Sequence, residues 1–289
     1  LRAAVEAVVG APGPVGAWQE TAAFQLWSQT SREVLASVEG LEVPATLLEP
    51  VAQYQDPAGP VVVFIDEGGR RAALETWGPA TRLSRMLDRD PRLVYPTVLV
   101  PDLPGWGDST PALAPYALAG WGSMDRLTAY LSCALGDGLL AIRARCAAAL
   151  VRHLDGARGV EPGRVVLVGR GLGGAVALMA AALCDRPLRG VATWGGLASF
   201  GVLAEAEEYA WPAAAFLPDA LAHFDLPDLG RDLRLPVAVL DPRGAGRQPL
   251  TAPEAQAAFS PIPAAMALAP SCTEAEALDH LRRLLSRTP

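Results

Sequence analysis

Short apolar runs alternate with segments of helical spacing along most of this chain. The runs at 61–65, 97–100, 164–168, 190–194 and 236–240 are rich in β-branched residues, which is typical of strands buried on both faces. Segments with helix-like periodicity separate these runs. This alternation predicts βαβ crossovers and a mostly parallel central sheet with helices on both faces, in a single α/β domain over residues 1–289.

The segments that do not follow this alternation of strands and helices are expected to form the periphery of the fold. Residues 1–10 indicate an amphipathic helix, and residues 1–30 are interpreted as an N-terminal helical extension. Alternating residues on both sides of Glu39-Gly40 predict an antiparallel hairpin over 31–48. One long helix is expected to end near His153. The insert at 200–232 is interpreted either as a cap over the carboxyl edge of the sheet or as a surface excursion.

The segment 169–174, Gly-Arg-Gly-Leu-Gly-Gly, lies between a predicted buried strand and a predicted small-residue helix. A strand, a sharp turn and a helix are the context of the G-x-S-x-G nucleophile elbow. Gly169 and Gly173 match the flanking glycines, but the central position is Gly171. Glycine has no side chain that could attack a substrate. The sequence therefore predicts an elbow that lacks its nucleophile.

Three motifs in this order resemble the α/β-hydrolases, and most closely the acetyl-xylan-esterase and dienelactone-hydrolase-like branch, over roughly residues 30–287. The turn 66–69 is similar to the oxyanion loop of the family, with Glu67 and Gly68 at its centre. The segment 102–109 resembles the family's D-x-x-G-x-G-x-S loop, and the elbow is the third motif. The resemblance implies an α/β-hydrolase fold with a cap insert, an ester or carbohydrate ligand, and a secreted or periplasmic location. Candidate pocket residues are Asp102, Trp106 and Trp194.

The resemblance also implies where a catalytic acid and base would stand. The acid belongs several residues into the loop after the strand 236–240, near 245–246, so Asp241 comes too early. The base belongs just after Ala269, where the chain reads Pro-Ser-Cys-Thr with no histidine. With Gly171 at the nucleophile position, all three positions of the triad are predicted to be empty.

Other residues of the chain could form a rearranged catalytic set. Ser199 and Cys272 are alternative nucleophiles, and His223, with two carboxylates nearby in the sequence, is the alternative base. Each has a structural interpretation too. Ser199 could cap a helix or turn, and Cys272 would need a lowered pKa to react. The remaining histidines, His153 and His280, are interpreted as a helix-end residue and a surface residue.

The glycines of 169–174 also match G-x-G-x-x-G, the fingerprint of a dinucleotide site. The context argues against that use, because several predicted strands precede the motif and the next strand ends at Trp194-Gly195-Gly196 without an acidic residue. The four cysteines show no metal-ligand spacing and are interpreted as buried small residues. No cofactor and no metal site is predicted.

Composition bounds the function classes. A hydrophobic content of 51% predicts a globular chain, and a net charge of −7 without a basic run argues against nucleic acid as a partner. No apolar run reaches about 18 residues, so no membrane-spanning segment is expected. The chain starts at Leu1, which fits an excised domain or a processed product, and another domain of the same polypeptide is a candidate partner.

These observations lead to three hypotheses. The first is an esterase-like domain without the triad, which is a non-catalytic binding or structural unit. The second is an active carbohydrate ester hydrolase that uses Ser199 or Cys272 with His223. The third is a ligand-binding module in which Trp106, Trp194 and Trp211 offer flat faces to a sugar or an aromatic ligand.

Overall fold

The computed structural model describes residues 1–25, 29–52, 55–56, 58–75, 78–86, 96–111, 124–157 and 160–286. Within them nine strands form one sheet in the order β1-β2-β3-β5-β4-β6-β7-β8-β9. The strands are β1 Val15–Gln25, β2 Gln29–Val38, β3 Leu41–Pro50, β4 Val61–Asp66, β5 Thr97–Pro101, β6 Val165–Arg170, β7 Gly190–Trp194, β8 Val237–Leu240 and β9 Met266–Ala269. Strands β1 to β3 are antiparallel and β3 joins β5 antiparallel, whereas β4 to β9 are all parallel.

Helices cover both faces of the parallel strands, as predicted. They are α1 Arg2–Val9, α2 Gly69–Leu74, α3 Pro79–Met86, α4 Met124–Ala134, α5 Leu139–Ala157, α6 Gly173–Leu183, α7 Phe200–Glu205, α8 Ala220–His223, α9 Leu226–Asp232, α10 Ala252–Ala258 and α11 Glu274–Ser286. Strand β4 is buried at every position. Val63 and Ile65 join the core with α5 and α6, whereas Val62 and Phe64 join the core with α3 and α11. Two-sided burial explains the continuous apolar runs.

Two expectations about the elements are wrong. The segment predicted as a helical extension contains α1 but continues as β1, an edge strand that pairs with β2. Most β1 side chains are exposed, so the strand carries little apolar alternation in its sequence. The predicted long helix is two helices, because Gly136 adopts a φ of 82° between α4 and α5.

The 200–232 insert packs on one helical layer and also reaches the carboxyl edge of the sheet. Helix α8 contacts α1, and α9 contacts α6. Between α7 and α8, the indole N–H of Trp211 donates to the Gly244 carbonyl at 2.8 Å, and the Ala210 N–H donates to the Ala245 carbonyl at 2.9 Å. The Ala210–Trp211 stretch therefore contacts the loop after β8. Among the described helices, none is both long enough and apolar enough to cross a membrane.

The loop after β5 is built around a buried carboxylate. Asp102 accepts hydrogen bonds from the Arg70 N–H at 2.6 Å, the Arg70 Nε at 3.0 Å and the Asp108 N–H at 3.0 Å. A Cβ on Gly107 would lie 2.0 Å from Asp102 Oδ1. The buried Asp102 carboxylate thus holds the D-x-x-G-x-G-x-S loop together through hydrogen bonds. Gly107 allows the backbone of the loop to lie against that carboxylate, because it has no side chain.

We expect Gly107→Ala to destabilise the fold by about 3 kcal/mol or more, because the new methyl group overlaps the Asp102 carboxylate and the φ of 51° is strained. Gly40→Ala is the matched control, since Gly40 has a φ of 80° and no atom within 4 Å of its built Cβ. That variant should lose only about 1 kcal/mol. Urea denaturation of both variants measures the difference, and equal losses would contradict the account of the loop.

Candidate functional site

The turn between β6 and α6 has the backbone of a nucleophile elbow. Gly171 adopts a φ of 60°. A Cβ on Gly169 would lie 2.0 Å from the Gly173 carbonyl oxygen, and a Cβ on Gly173 would lie 2.3 Å from the Ile65 carbonyl oxygen. The flanking glycines are therefore required by close backbone approach. The predicted elbow is confirmed as a shape, with a glycine at the position that presents the nucleophile in serine hydrolases.

The carboxylate of Glu67 fills the space beside Gly171. A Cβ built on Gly171 would lie 2.3 Å from Glu67 Cδ and 2.5 Å and 2.6 Å from the two carboxylate oxygens. Glu67 follows directly after β4, the neighbour of β6 in the sheet. Its side chain therefore takes the room that a nucleophile side chain would need.

Glu67 also engages the amide that an oxyanion hole would use. Its Oε2 accepts a hydrogen bond from the Leu172 N–H at 2.9 Å. In a nucleophile elbow, the N–H of the residue after the nucleophile is one of the two donors to the oxyanion. Here that donor is already satisfied by a side chain of the protein.

Arg247 holds the Glu67 carboxylate in place. Its Nη1 donates to Oε1 at 2.6 Å and its Nη2 to Oε2 at 3.1 Å, which is a bidentate pair. One face of the guanidinium stacks on the indole of Trp211, with Cζ 4.2 Å from the ring centroid. Trp211 is 3% exposed, so the arginine is positioned by a buried ring. Through these contacts, Glu67 in the turn after β4 and Arg247 in the loop after β8 connect the elbow to Trp211 of the insert.

The loops after β8 and β9, where the acid and the base were expected, contain an ion pair and a cysteine thiol. Asp241 follows β8 directly, adopts a φ of 50°, and forms an ion pair with Arg243. Cys272 follows β9, where the base was expected. Burial raises the pKa of the Cys272 thiol, and the charges of Asp241 and Glu276 raise it further. The lowered pKa that a nucleophilic role required is therefore not found.

Ser199 and His223 are not arranged as a catalytic pair among the described contacts. Ser199 caps α7: its hydroxyl accepts from the Val202 N–H at 3.1 Å and donates to the Asp225 carboxylate. The capping interpretation is confirmed. His223 is an exposed residue of α8, and no described hydrogen bond joins it to Ser199 or Cys272. The serine hydroxyl is thus turned toward a carboxylate instead of an imidazole.

The other histidines and cysteines lie away from the elbow motif in the chain. The His153 ring stacks on Trp18 with the ring centroids 4.7 Å apart. His280 is half-buried in α11. Cys146 is buried, Cys184 and Cys272 are half-buried and Cys133 is exposed, so the expectation that the cysteines are buried is confirmed for Cys146 alone and is wrong for Cys133. Within the described ranges no three His, Cys, Asp or Glu side chains form a group suited to a metal ion.

A cleft of about 410 Å³ opens above the elbow. Its lining comprises Asp66, Glu67, Gly68, Arg170, Gly171, Trp194, Gly195, Asp241, Arg243 and Arg247. The predicted pocket residue Trp194 and the predicted oxyanion-loop residues Glu67 and Gly68 are among these. Asp102 and Trp106 are not: Asp102 is fully buried in its loop, and Trp106 packs against the buried guanidinium of Arg143 at 4.1 Å. Both stabilise the loop after β5 and do not line the cleft.

Sequence reasoning missed the three arginines of the cleft. Arg170 is the last residue of β6, while Arg243 and Arg247 lie in the loop after β8. A signal was present, because residues at the carboxyl ends of parallel strands meet at one edge of the sheet. Arg170 stands inside the elbow motif itself, one residue before Gly171.

The comparisons with solved structures agree with the fold described above. The sequence matches no protein-family model and no curated protein. The structure is similar to the acetyl xylan esterase from Paenibacillus sp. R4, with a TM-score of 0.67 and 16% identity over 99% of this chain and 93% of that one. It is also similar to acetyl xylan esterase 1 from Thermoanaerobacterium sp. JW/SL YS485, with a TM-score of 0.64 and 15% identity over 98% and 92%. A 2,6-dihydroxy-pseudo-oxynicotine hydrolase gives a TM-score of 0.56 and 17% identity over 89% and 68%.

We expect Gly171→Ala and Glu67→Ala to be strongly coupled. In the wild-type background, the methyl group displaces the Glu67 carboxylate from its hydrogen bonds, and Gly171→Ala should cost about 3 kcal/mol. In the Glu67→Ala background, it should cost only about 1 kcal/mol, from the positive φ alone. A double-mutant cycle by urea denaturation gives the coupling energy.

Gly40→Ala combined with Glu67→Ala is the control for this cycle, since Gly40 has nothing within 4 Å of its built Cβ. Those two losses should add. If the Gly171 cycle were additive as well, Glu67 would not occupy the space at the elbow.

Proposed function

We propose that this chain, which has the α/β-hydrolase fold, is an esterase-like domain that performs no acyl transfer and acts in binding or structure. The observation that carries the proposal is the position of the Glu67 carboxylate. It fills the nucleophile space at Gly171 and accepts the hydrogen bond of the Leu172 N–H.

Acyl transfer by a serine hydrolase needs three groups at one place: an activated nucleophile, an imidazole base and donors for the oxyanion. Gly171 supplies no nucleophile, and the Leu172 N–H is engaged by Glu67. A negative charge beside that amide would also repel a developing oxyanion rather than stabilise it. In the stretch where the base belongs, Cys272 has a thiol whose pKa is raised. These features support a site without ester chemistry.

Two of the similar structures are named acetyl xylan esterases, and these names give acetylated xylan as the substrate of those proteins. For this chain we propose a carbohydrate or a small ester-like molecule, or another domain of the same polypeptide, as the partner. The cleft above the elbow is large enough for a ligand of that size, since small-molecule sites begin at about 300 Å³.

The proposal predicts that the purified protein hydrolyses neither p-nitrophenyl acetate nor acetylated xylan above the rate of a heat-denatured sample. Gly171→Ser alone should also restore nothing, because none of the described residues that line the cleft is a histidine that could act as the base. The release of p-nitrophenol and of acetate measures the hydrolysis rates of the wild-type protein and of Gly171→Ser. The controls are Ser199→Ala, Cys272→Ala and His223→Ala.

Turnover by the wild-type protein would overturn the proposal. If that turnover disappeared in Ser199→Ala or Cys272→Ala together with His223→Ala, the alternative of an active carbohydrate ester hydrolase with a rearranged catalytic set would replace it. If it persisted in all three variants, neither account of the site would stand.

A further inference from the structure

Charged side chains of both signs line the cleft above the elbow, but they are exposed to different degrees. The side chains of Arg170, Arg243 and Arg247 are 37%, 31% and 36% exposed. Their carboxylate partners are less exposed: Asp66 0%, Asp241 10% and Glu67 26%. The surface that a ligand would meet is therefore formed more by guanidinium groups than by carboxylates.

The Arg170 guanidinium has hydrogen-bond donors that are not used within the described part of the protein. Its Nε lies 2.7 Å from Asp66 Oδ2. Throughout the part of the chain that the structure describes, no acceptor is found for its two terminal nitrogens. A guanidinium carries five N–H groups, and two parallel N–H groups match the two oxygens of a carboxylate. Arg170 thus presents an unused donor edge at the cleft.

The carboxylates of the cleft are turned toward the protein. Asp66 Oδ1 accepts from the Gly68 N–H at 2.8 Å, and Glu67 binds the Leu172 N–H together with Arg247. Asp241 pairs with Arg243. Because these acceptors are engaged or buried, a ligand would find mainly hydrogen-bond donors in the cleft.

The geometry points to a binding site for a small monocarboxylate, held by the free donor edge of Arg170 beside Trp194, with Arg243 and Arg247 adding positive charge. A single negative charge fits best, because Arg170 offers one free donor edge, whereas the charges of Arg243 and Arg247 are already offset by Asp241 and Glu67 and leave little to balance a second ligand charge. The volume of about 410 Å³ accommodates a ligand of the size of one ring. This inference rests on the proposed function, since it assigns a ligand class to the non-catalytic cleft.

The test is isothermal titration of the whole chain with sodium benzoate at low ionic strength. Benzamide is the neutral control of the same shape, and inorganic phosphate, titrated at about pH 8 where most of it is the dianion, is the doubly charged control. We expect benzoate to bind with a Kd of roughly 1 mM, phosphate to bind at least fivefold more weakly, and benzamide not to bind. Equal binding of benzoate and benzamide, or no binding of benzoate, would overturn the inference. Tighter binding of phosphate would replace the monocarboxylate by a phosphate-bearing ligand.

Variants locate the site. Arg170→Gln should weaken benzoate binding about tenfold, and Arg283→Gln, on the exposed face of α11, should leave it unchanged. Since Arg170→Gln leaves the buried Asp66 without its cation, Asp66→Asn is a second test with the opposite sign. It removes a negative charge from the cleft and should tighten binding severalfold, which damage to the fold would not do. Weaker or unchanged binding in Asp66→Asn would place benzoate elsewhere.

The two proposals fail separately. Failure of benzoate to bind, with no ester turnover, would overturn only the ligand class and leave the non-catalytic domain. Ester turnover by the wild-type protein would overturn the non-catalytic domain, whatever benzoate does.

Discussion

A charge-assisted contact at the end of two parallel strands determines what this site can do. Glu67 follows β4, reaches over Gly171 at the end of β6, and accepts hydrogen bonds from the Leu172 N–H and from Arg247. Bonds to ionised groups are stronger than neutral ones, and this pair is backed by the buried ring of Trp211. The arrangement needs a glycine at 171, because any Cβ there would meet the carboxylate. The glycine at position 171 and the position of the Glu67 carboxylate therefore depend on each other through packing.

The scaffold around this contact retains the features that an ester hydrolase of this fold uses. The elbow keeps its positive φ and its close-packed flanking glycines, and the loop after β5 keeps its buried Asp102. Those features depend on backbone approach, which the fold requires whether or not a reaction takes place. The chemistry of a serine hydrolase depends on side chains, the first of them at the elbow, where this chain has Gly171. Under the proposed function, this molecule would be a case in which the fold is present without the activity, since a fold does not by itself imply a function.

Much of the fold could be predicted from the sequence, because strands buried on both faces leave continuous apolar runs such as 61–65. Edge strand β1 could not, since its outward positions carry no apolar alternation. The elbow was predicted from local glycines and confirmed. The pair between Glu67 and Arg247 spans 180 residues, so no local pattern reports it. The tertiary fold alone brings these residues together, which is why the charged character of the cleft emerged only with the structure.

The most direct test of the central claim is hydrogen exchange of the Leu172 amide, followed by NMR in the wild type and in Glu67→Ala. The Gly174 N–H, which donates to the Gly171 carbonyl at 3.0 Å, is the internal reference because its partner is retained. The account predicts that the Leu172 amide exchanges at least tenfold faster in Glu67→Ala while the Gly174 amide is unchanged. An unchanged Leu172 rate would show that the amide is not bound by Glu67 and would contradict the account.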